Sequence, residues 1–105
     1  MNDRFLSLLG LVRRAGRLSM GFDAACESIA KGEAALVLAT NDISAGSLRR
    51  LNAVAQEHGT EVVLLECGMD VLAPAIGKSV RMVSVNDEGF AGKLRLLLKE
   101  DEGAG

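Results

Sequence analysis

Three arginines stand close to a predicted helix start in the first part of the chain. Arg13, Arg14 and Arg17 precede Gly21, where the sequence LSMGFDAACESIAK indicates that a helix begins. A helix N-terminus presents free backbone N–H groups and the positive end of the helix dipole, so it can hold phosphate oxygens. We therefore predict a phosphate-contacting edge at this helix start. A second interpretation stays open, because cations at a helix end also complement its dipole in a purely solvated role.

The other reactive side chains form no recognisable catalytic or metal-binding arrangement. Cys26 and Cys67 lie far apart in sequence without CxxC partners, which predicts buried structural thiols unless folding brings them together as a redox pair. His58 stands at a predicted helix end, and no nucleophile pattern surrounds it, which favours a structural role over a general base. The sequence GKS at 77–79 lacks the first glycine of a P-loop and precedes a strand. We expect no enzyme activity, metal or cofactor.

The hydrophobic pattern predicts helices that alternate with strands along the whole chain. Helices are expected at about 4–15, 21–31, 44–58 and 70–76, with a last helix after a turn at 86–89. Gly16 and Gly59 would end the first and third helices, Asp70 would cap the fourth, and the first would have an inner face of Phe5, Leu8, Leu9 and Val12. Extended segments are expected at 17–20, 34–39, 61–66 and 80–85, and the apolar runs at 34–39 and 61–66 suit strands that are buried on both faces. This alternation predicts a mainly parallel or mixed sheet between helical layers, as one α/β/α domain over 1–99 with a flexible acidic tail at 100–105.

Composition and charge narrow the function classes. The chain of 105 residues has three Phe and no Trp or Tyr, which disfavours an aromatic base-stacking platform or an RNA-recognition motif. A net charge of −2 is not that of a generic nucleic-acid binder, although residues 1–31 carry more basic than acidic side chains. No signal-peptide pattern or membrane-spanning run is present in the sequence, so we expect a cytoplasmic protein with reduced thiols.

Several separated motifs resemble one known family. They are LxRRAGRLxxGxxxxxxxIxxGxAxLVLxxxDxS from residue 11, LxxAIGK from residue 72 and VSVxDEGFAxKL from residue 83. In this order they resemble the kink-turn-binding ribosomal protein superfamily of archaeal large-subunit protein seven-Ae and eukaryotic protein thirty-e, and most closely its small bacterial YlxQ-type branch. The resemblance covers about residues 5–98 and implies an α/β/α sandwich around a four-stranded mixed sheet.

The resemblance also implies a function and a site. It implies a non-catalytic protein without a cofactor that binds structured RNA in or near the ribosome. Three elements would form the site: the start of the second helix, the turn Thr40–Ser44 and the apolar loop Cys67–Val71. The backbone N–H groups of the helix start would contact RNA, one aspartate would shape the turn, and two apolar side chains would face bases. The residues in these roles are Gly21, Phe22, Asp42, Met69 and Val71.

The sequence departs from the family pattern within the second helix. The family signature Gly-x-Asn-Glu-x-x-Lys falls on Gly21, Asp23, Ala24 and Glu27, so only its glycine is kept. Ala24 has no side-chain acceptor for a guanine edge, and the carboxylates of Asp23 and Glu27 would repel phosphates. We therefore expect a changed RNA site. The alternative hypothesis is a protein-interaction module that kept the fold, lost RNA binding and turns these two acidic residues towards a basic protein partner.

Overall fold

Five helices and four strands alternate along the described part of the chain, as the sequence predicts. The structure is a computed structural model that describes residues 1–104, with side chains described for residues 1–100. The elements are α1 (Asp3–Arg14), β1 (Leu18–Met20), α2 (Phe22–Ala30), β2 (Leu36–Ala39), α3 (Ala45–Glu57), β3 (Val62–Leu64), α4 (Met69–Ile76), β4 (Met82–Val85) and α5 (Glu88–Ala104). The side chains of the expected acidic tail lie largely outside the described residues, and its flexibility stays a prediction.

The strands form one four-stranded mixed sheet in the order β1-β4-β2-β3. β4 pairs antiparallel with both β1 and β2, whereas β2 and β3 are parallel. The register places Met20 opposite Val83 and Ala39 opposite Met82. The ends of β1, β2 and β3 and the start of β4 therefore lie at the same edge of the sheet, which we call the upper edge. The predicted fold class is confirmed.

Two helical layers cover the sheet and bury alternate residues of its strands. Leu36 and Leu38 of β2 join the core cluster that contains α1, α4 and α5 residues, whereas Val37 and Ala39 join the cluster of α2 and α3. This alternation is the two-residue period of a strand that is covered on both faces. The predicted inner face of α1 is confirmed, because Phe5 and Leu9 are fully buried.

β3 differs from the expectation that it is a buried strand. It lies at the end of the sheet, so only β2 pairs with it, and it contains three residues. Leu64 is 52% exposed as a result. The apolar run that suggested burial continues past the strand, where Leu65 and Cys67 turn into the core.

The N-terminal caps explain where the helices begin. The Asn2 side chain accepts a hydrogen bond from the Arg4 amide and caps α1, and the Ser44 hydroxyl accepts one from the Ser47 amide in α3. α4 differs from the prediction that Asp70 caps it. Its cap position is Gly68, which has no side chain, and the carboxylate of Asp42 accepts the N–H of Met69 instead.

A buried polar cluster fixes α2 to the sheet. The hydroxyls of Ser19 in β1 and Ser28 in α2 lie 2.7 Å apart, and the Asn86 amide donates to Ser19 at 2.9 Å. The Ser84 hydroxyl donates to the Asn86 side chain at 2.6 Å. Because the members of the cluster satisfy one another, burying them carries little desolvation cost and sets the position of α2.

Candidate functional site

The upper edge of the sheet brings the three predicted site elements together. α2 follows β1 there, the Thr40–Ser44 turn follows β2, and the Cys67–Val71 segment follows β3. The Asn41 amide donates to the Cys67 carbonyl at 2.9 Å, which joins the second element to the third. The loop 77–81 before β4 lies between β1 and β2 at the same edge and was not selected from the sequence.

The start of α2 is built around Gly21. Its φ of 101° and ψ of 167° are conformations that are essentially restricted to glycine. Gly21 was expected to offer its amide to RNA, but this N–H donates to the Met82 carbonyl at 2.9 Å and extends the pairing of β1 with β4. The Ala25 amide donates to the Gly21 carbonyl, which closes the first turn of the helix.

Three amides remain available at this helix start. A glycine cap has no side chain that accepts from the first turn, and within residues 1–104 the N–H groups of Phe22, Asp23 and Ala24 have no hydrogen-bond acceptor. They point along the helix axis at the positive end of its dipole, which favours an anion. The free amides of the helix start therefore begin one residue further along than the sequence suggested.

The loop 77–81 forms the closest neighbour of the helix start. A Cβ placed on Gly21 would lie 3.6 Å from Cγ1 of Val80, so the Val80 side chain packs beside the helix start. Lys78 and Arg81 are exposed in this loop. The GKS triplet at 77–79 is the sequence signal for this loop, although it does not form a nucleotide-binding motif.

Asp42 joins the loops of the upper edge. Its carboxylate accepts the Met69 amide at 3.2 Å and lies 3.6 Å from Nε of Arg81. A hydrogen bond from the Thr40 hydroxyl, the Met69 amide and the Arg81 guanidinium together hold the pKa of Asp42 below its ordinary value. Asp42 thus joins the turn after β2 to the start of α4 and to Arg81 in the loop 77–81.

The three predicted arginines do not form one surface. The guanidinium of Arg13 lies over Gly77, because a Cβ on that glycine would be 2.7 Å from its Nη1, so Arg13 borders the start of the loop 77–81. Arg14 lines a groove between α1 and α4. Arg17 lies at the opposite edge, where its carbonyl accepts the Asn86 amide. The strand β1 separates it from Gly21 by about 13 Å.

The two apolar side chains that were predicted to face RNA bases also lie in different places. Met69 lies at the start of α4, beside Asp42 at the upper edge, and its side chain is half-buried. Val71 is 37% exposed and lines the α1–α4 groove together with Arg14. Of the two, Met69 therefore lies at the upper edge with the start of α2, whereas Val71 faces the α1–α4 groove.

Two charged residues of α2 differ in their surroundings. The carboxylate of Glu27 lies 2.7 Å from Nζ of Lys31, four residues later in the helix. A hydrogen bond to Lys31 and its charge lower the pKa of Glu27, and the same contact raises the pKa of Lys31. Asp23 is exposed in the first turn. Of these two acidic residues, Asp23 forms no salt bridge with the described side chains, so the acidic surface expected from Asp23 and Glu27 is half neutralised.

The cysteines and the histidine have structural positions. Cys67 belongs to the core on the α1 side of the sheet and Cys26 packs against the core on the α2 side, so they do not meet as a redox pair. Burial raises the pKa of both thiols, which disfavours reactive thiolates. The Nδ1 atom of His58 lies 3.0 Å from the Val54 carbonyl at the end of α3. Among the described side chains, no group of three or more potential ligands is placed to hold a metal ion.

The layered fold defines a small α/β/α sandwich protein. A model of the "Ribosomal protein L7Ae/L30e/S12e/Gadd45 family" matches residues 3–95. The chain belongs to this family. It is also 36% identical over 92 residues to "RNA-binding protein YlxQ" of Bacillus subtilis (strain 168), which covers 87% of this chain and 91% of that protein. The predicted family and its YlxQ-like branch are confirmed, and the family agrees with a protein that is not an enzyme.

Solved structures show the same architecture. A protein described as of unknown function from Bacillus halodurans C superposes with a TM-score of 0.84 and 29% identity, covering 93% of this chain and 99% of that chain. The Giardia lamblia 15.5kD RNA binding protein superposes with a TM-score of 0.74 and 17% identity, covering 98% of this chain and 92% of that chain. At this identity the second comparison shows a shared fold alone. None of the helices within residues 1–104 combines the length and the hydropathy that a membrane span requires.

Proposed function

We propose that this protein binds structured RNA through the upper edge of its sheet, as a non-catalytic module. The observation that carries the proposal is the start of α2, where three amides without acceptors lie beside the basic loop 77–81. Helix amides and lysine or arginine side chains are the groups that proteins use to contact phosphates. The YlxQ relative, which is named an RNA-binding protein, supports the same class of ligand.

Each part of the edge has a separate task in this proposal. The amides of Phe22, Asp23 and Ala24 bind a phosphate, and the cations of Arg13, Lys78 and Arg81 neutralise its neighbours along the strand. The hydrogen bond from the Gly21 amide to the Met82 carbonyl of β4 holds the helix start against the loop 77–81. Asp42 holds the loops in register and does not itself face RNA, because its carboxylate is occupied by Met69 and Arg81.

The preferred RNA is a sharply bent element of the kink-turn kind, bound with reduced base discrimination. A bidentate base contact contributes about 1–3 kcal/mol of discrimination, and Ala24 offers no side-chain acceptor for one. The carboxylate of Asp23 adds repulsion beside the phosphate site. The shape of the bent backbone, more than its base edges, then determines affinity. A ribosomal or translation-associated RNA is the source that the family suggests.

A salt titration tests this proposal. The full chain is titrated in filter-binding assays against a kink-turn RNA, an unkinked RNA duplex of equal length and the matching DNA duplex. Three flanking cations predict that log affinity falls with log salt with a slope of about −2 to −3. We expect the kink-turn RNA to bind most tightly. An absence of binding at low salt, or equal binding to the DNA duplex, would refute the proposal.

A protein-interaction module is the second candidate function. The observation that favours it is a groove of about 530 Å³ between α1 and α5, bordered by the exposed side chains of Leu11 and Leu96. Exposed apolar surface of this kind is typical of protein contacts. The salt bridge between Glu27 and Lys31 argues against the form of this hypothesis in which Asp23 and Glu27 face a basic protein partner. Co-purification with and without ribonuclease separates the candidates, since protein partners that survive the nuclease favour this one.

A further inference from the structure

One arginine outside the predicted site reaches the start of α2 from the neighbouring helix. The guanidinium of Arg50 in α3 stacks on the ring of Phe22, with its Cζ atom 4.4 Å from the ring centroid. Phe22 is the first residue of α2 and one of the three residues whose amides have no acceptor. A cation thus stands at the helix start although the sequence of α2 provides none there.

The direction of the helix explains how Arg50 reaches this position. α2 and α3 both begin at the upper edge and pack against each other on one face of the sheet. Side chains of a helix tilt towards its N-terminus, so the long side chain of Arg50 extends back towards the upper edge.

The Arg50 guanidinium is unpaired among the described side chains. No carboxylate among the described side chains lies within 4 Å of its guanidinium, and the residue is exposed. Stacking occupies one face of the guanidinium plane and leaves its N–H donors at the rim. An arginine that is held in this way loses less side-chain freedom when it binds an anion than a free one does.

We propose that Arg50 is a phosphate-contacting residue of the RNA site, held in position by Phe22. The inference rests on the proposed function and extends its surface from the loop 77–81 to the α2–α3 side of the helix start. RNA that enters the upper edge then passes between two sets of cations, with the free amides of α2 in the middle. The ligand group is a backbone phosphate, so the contact contributes affinity and not base discrimination.

Adjacent arginines in α3 allow a matched test. Arg49 and Arg50 are both exposed, and only Arg50 stacks on Phe22. We compare Arg50→Gln with Arg49→Gln, which remove the same charge, in filter-binding titrations of kink-turn RNA at several salt concentrations. Loss of a charge-assisted contact predicts about tenfold weaker binding for Arg50→Gln. Its salt slope should also become shallower by about one, and Arg49→Gln should resemble the wild type.

Two further variants separate contact from folding. Arg50→Lys keeps the charge and should recover the slope, whereas Phe22→Leu keeps an apolar side chain but removes the stacking surface and should weaken binding about threefold. Thermal midpoints of all variants are measured in parallel. Equal affinities and slopes for Arg49→Gln and Arg50→Gln, with the wild type binding RNA, would overturn this inference alone. A wild-type protein that binds no RNA would overturn the proposed function and this inference with it.

Discussion

Replacing Gly21 by alanine tests the conformation that shapes the start of α2. The backbone angles of this residue lie in a region that L-residues with a side chain almost never adopt. The added Cβ would meet only ordinary contact, with Cγ1 of Val80 3.6 Å away. The cost of Gly21→Ala therefore comes from the backbone, and the relaxed chain is expected to turn the free amides of α2 away from the loop 77–81.

The loss of folding free energy expected for Gly21→Ala follows from the strain of this backbone conformation. Residues held in such regions cost about 1–3 kcal/mol each. For a domain of this size, each kcal/mol lowers the thermal midpoint by roughly 4–8 °C. RNA affinity should fall further than stability alone requires, because the binding amides move even in molecules that stay folded.

Two other glycines provide controls for the same substitution. Gly16 has a φ of 73° with open space around its Cβ position, and it lies away from the upper edge. Gly16→Ala should cost about 1–2 kcal/mol and leave RNA affinity unchanged. Gly92 lies inside α5 with open space, so Gly92→Ala should stabilise the fold by about 0.5–1 kcal/mol.

Urea unfolding and filter binding of these three variants decide the question. The reasoning predicts lower stability and lower affinity for Gly21→Ala, lower stability alone for Gly16→Ala and higher stability for Gly92→Ala. If Gly21→Ala is as stable as the wild type and binds RNA equally well, the backbone at this residue does not control the helix start.

Two further predictions concern charges on and near α2. The double variant Glu27→Lys with Lys31→Glu keeps both the ion pair and the net charge, but it moves a cation one turn closer to the free amides. Competition binding should therefore show tighter association with kink-turn RNA. Unchanged affinity would refute the phosphate site. The lowered pKa of Asp42 predicts that its ionised form stabilises the fold above the ordinary aspartate pKa of 3.8, and that this contribution disappears as the pH falls through the lowered value. The wild type should therefore unfold at a higher urea concentration than Asp42→Asn at pH 7, and this difference should vanish in acid. A difference that stays constant across this pH range would contradict the contribution of ionised Asp42 to stability.

Much of the fold follows from local sequence signals. The apolar periodicity of α1 and the stop at Gly16 predicted its bounds to within a residue or two, and the same holds for α3 between Ser44 and Gly59. These features depend on residues that are close in sequence. The motif resemblance added the family, which periodicity alone did not provide.

Long-range contacts explain what the sequence did not predict. The carboxylate that caps α4 belongs to Asp42, which is 27 residues before Met69, so the prediction of a cap by the nearby Asp70 is wrong. The exposure of β3 depends on its place at the end of the sheet, which its apolar sequence does not encode.

The candidate site shows the same division between local and long-range information. The helix start at Gly21 was visible in the sequence, but the use of its amide by Met82 depends on strand pairing. Arg17 is close to Gly21 in sequence, although the strand β1 between them places them at opposite edges of the sheet. Arg50 is 28 positions from Phe22, and only the packing of α3 on α2 brings them together.

Backbone amide shifts on RNA titration test the central claim most directly. The full chain, labelled with ¹⁵N, is titrated with kink-turn RNA at low salt and followed by two-dimensional NMR spectra. The account predicts that the largest shifts occur at Phe22, Asp23 and Ala24 and in the loop 77–81. Shifts concentrated instead along the α1–α5 groove at Leu11 and Leu96, with the start of α2 unchanged, would contradict it.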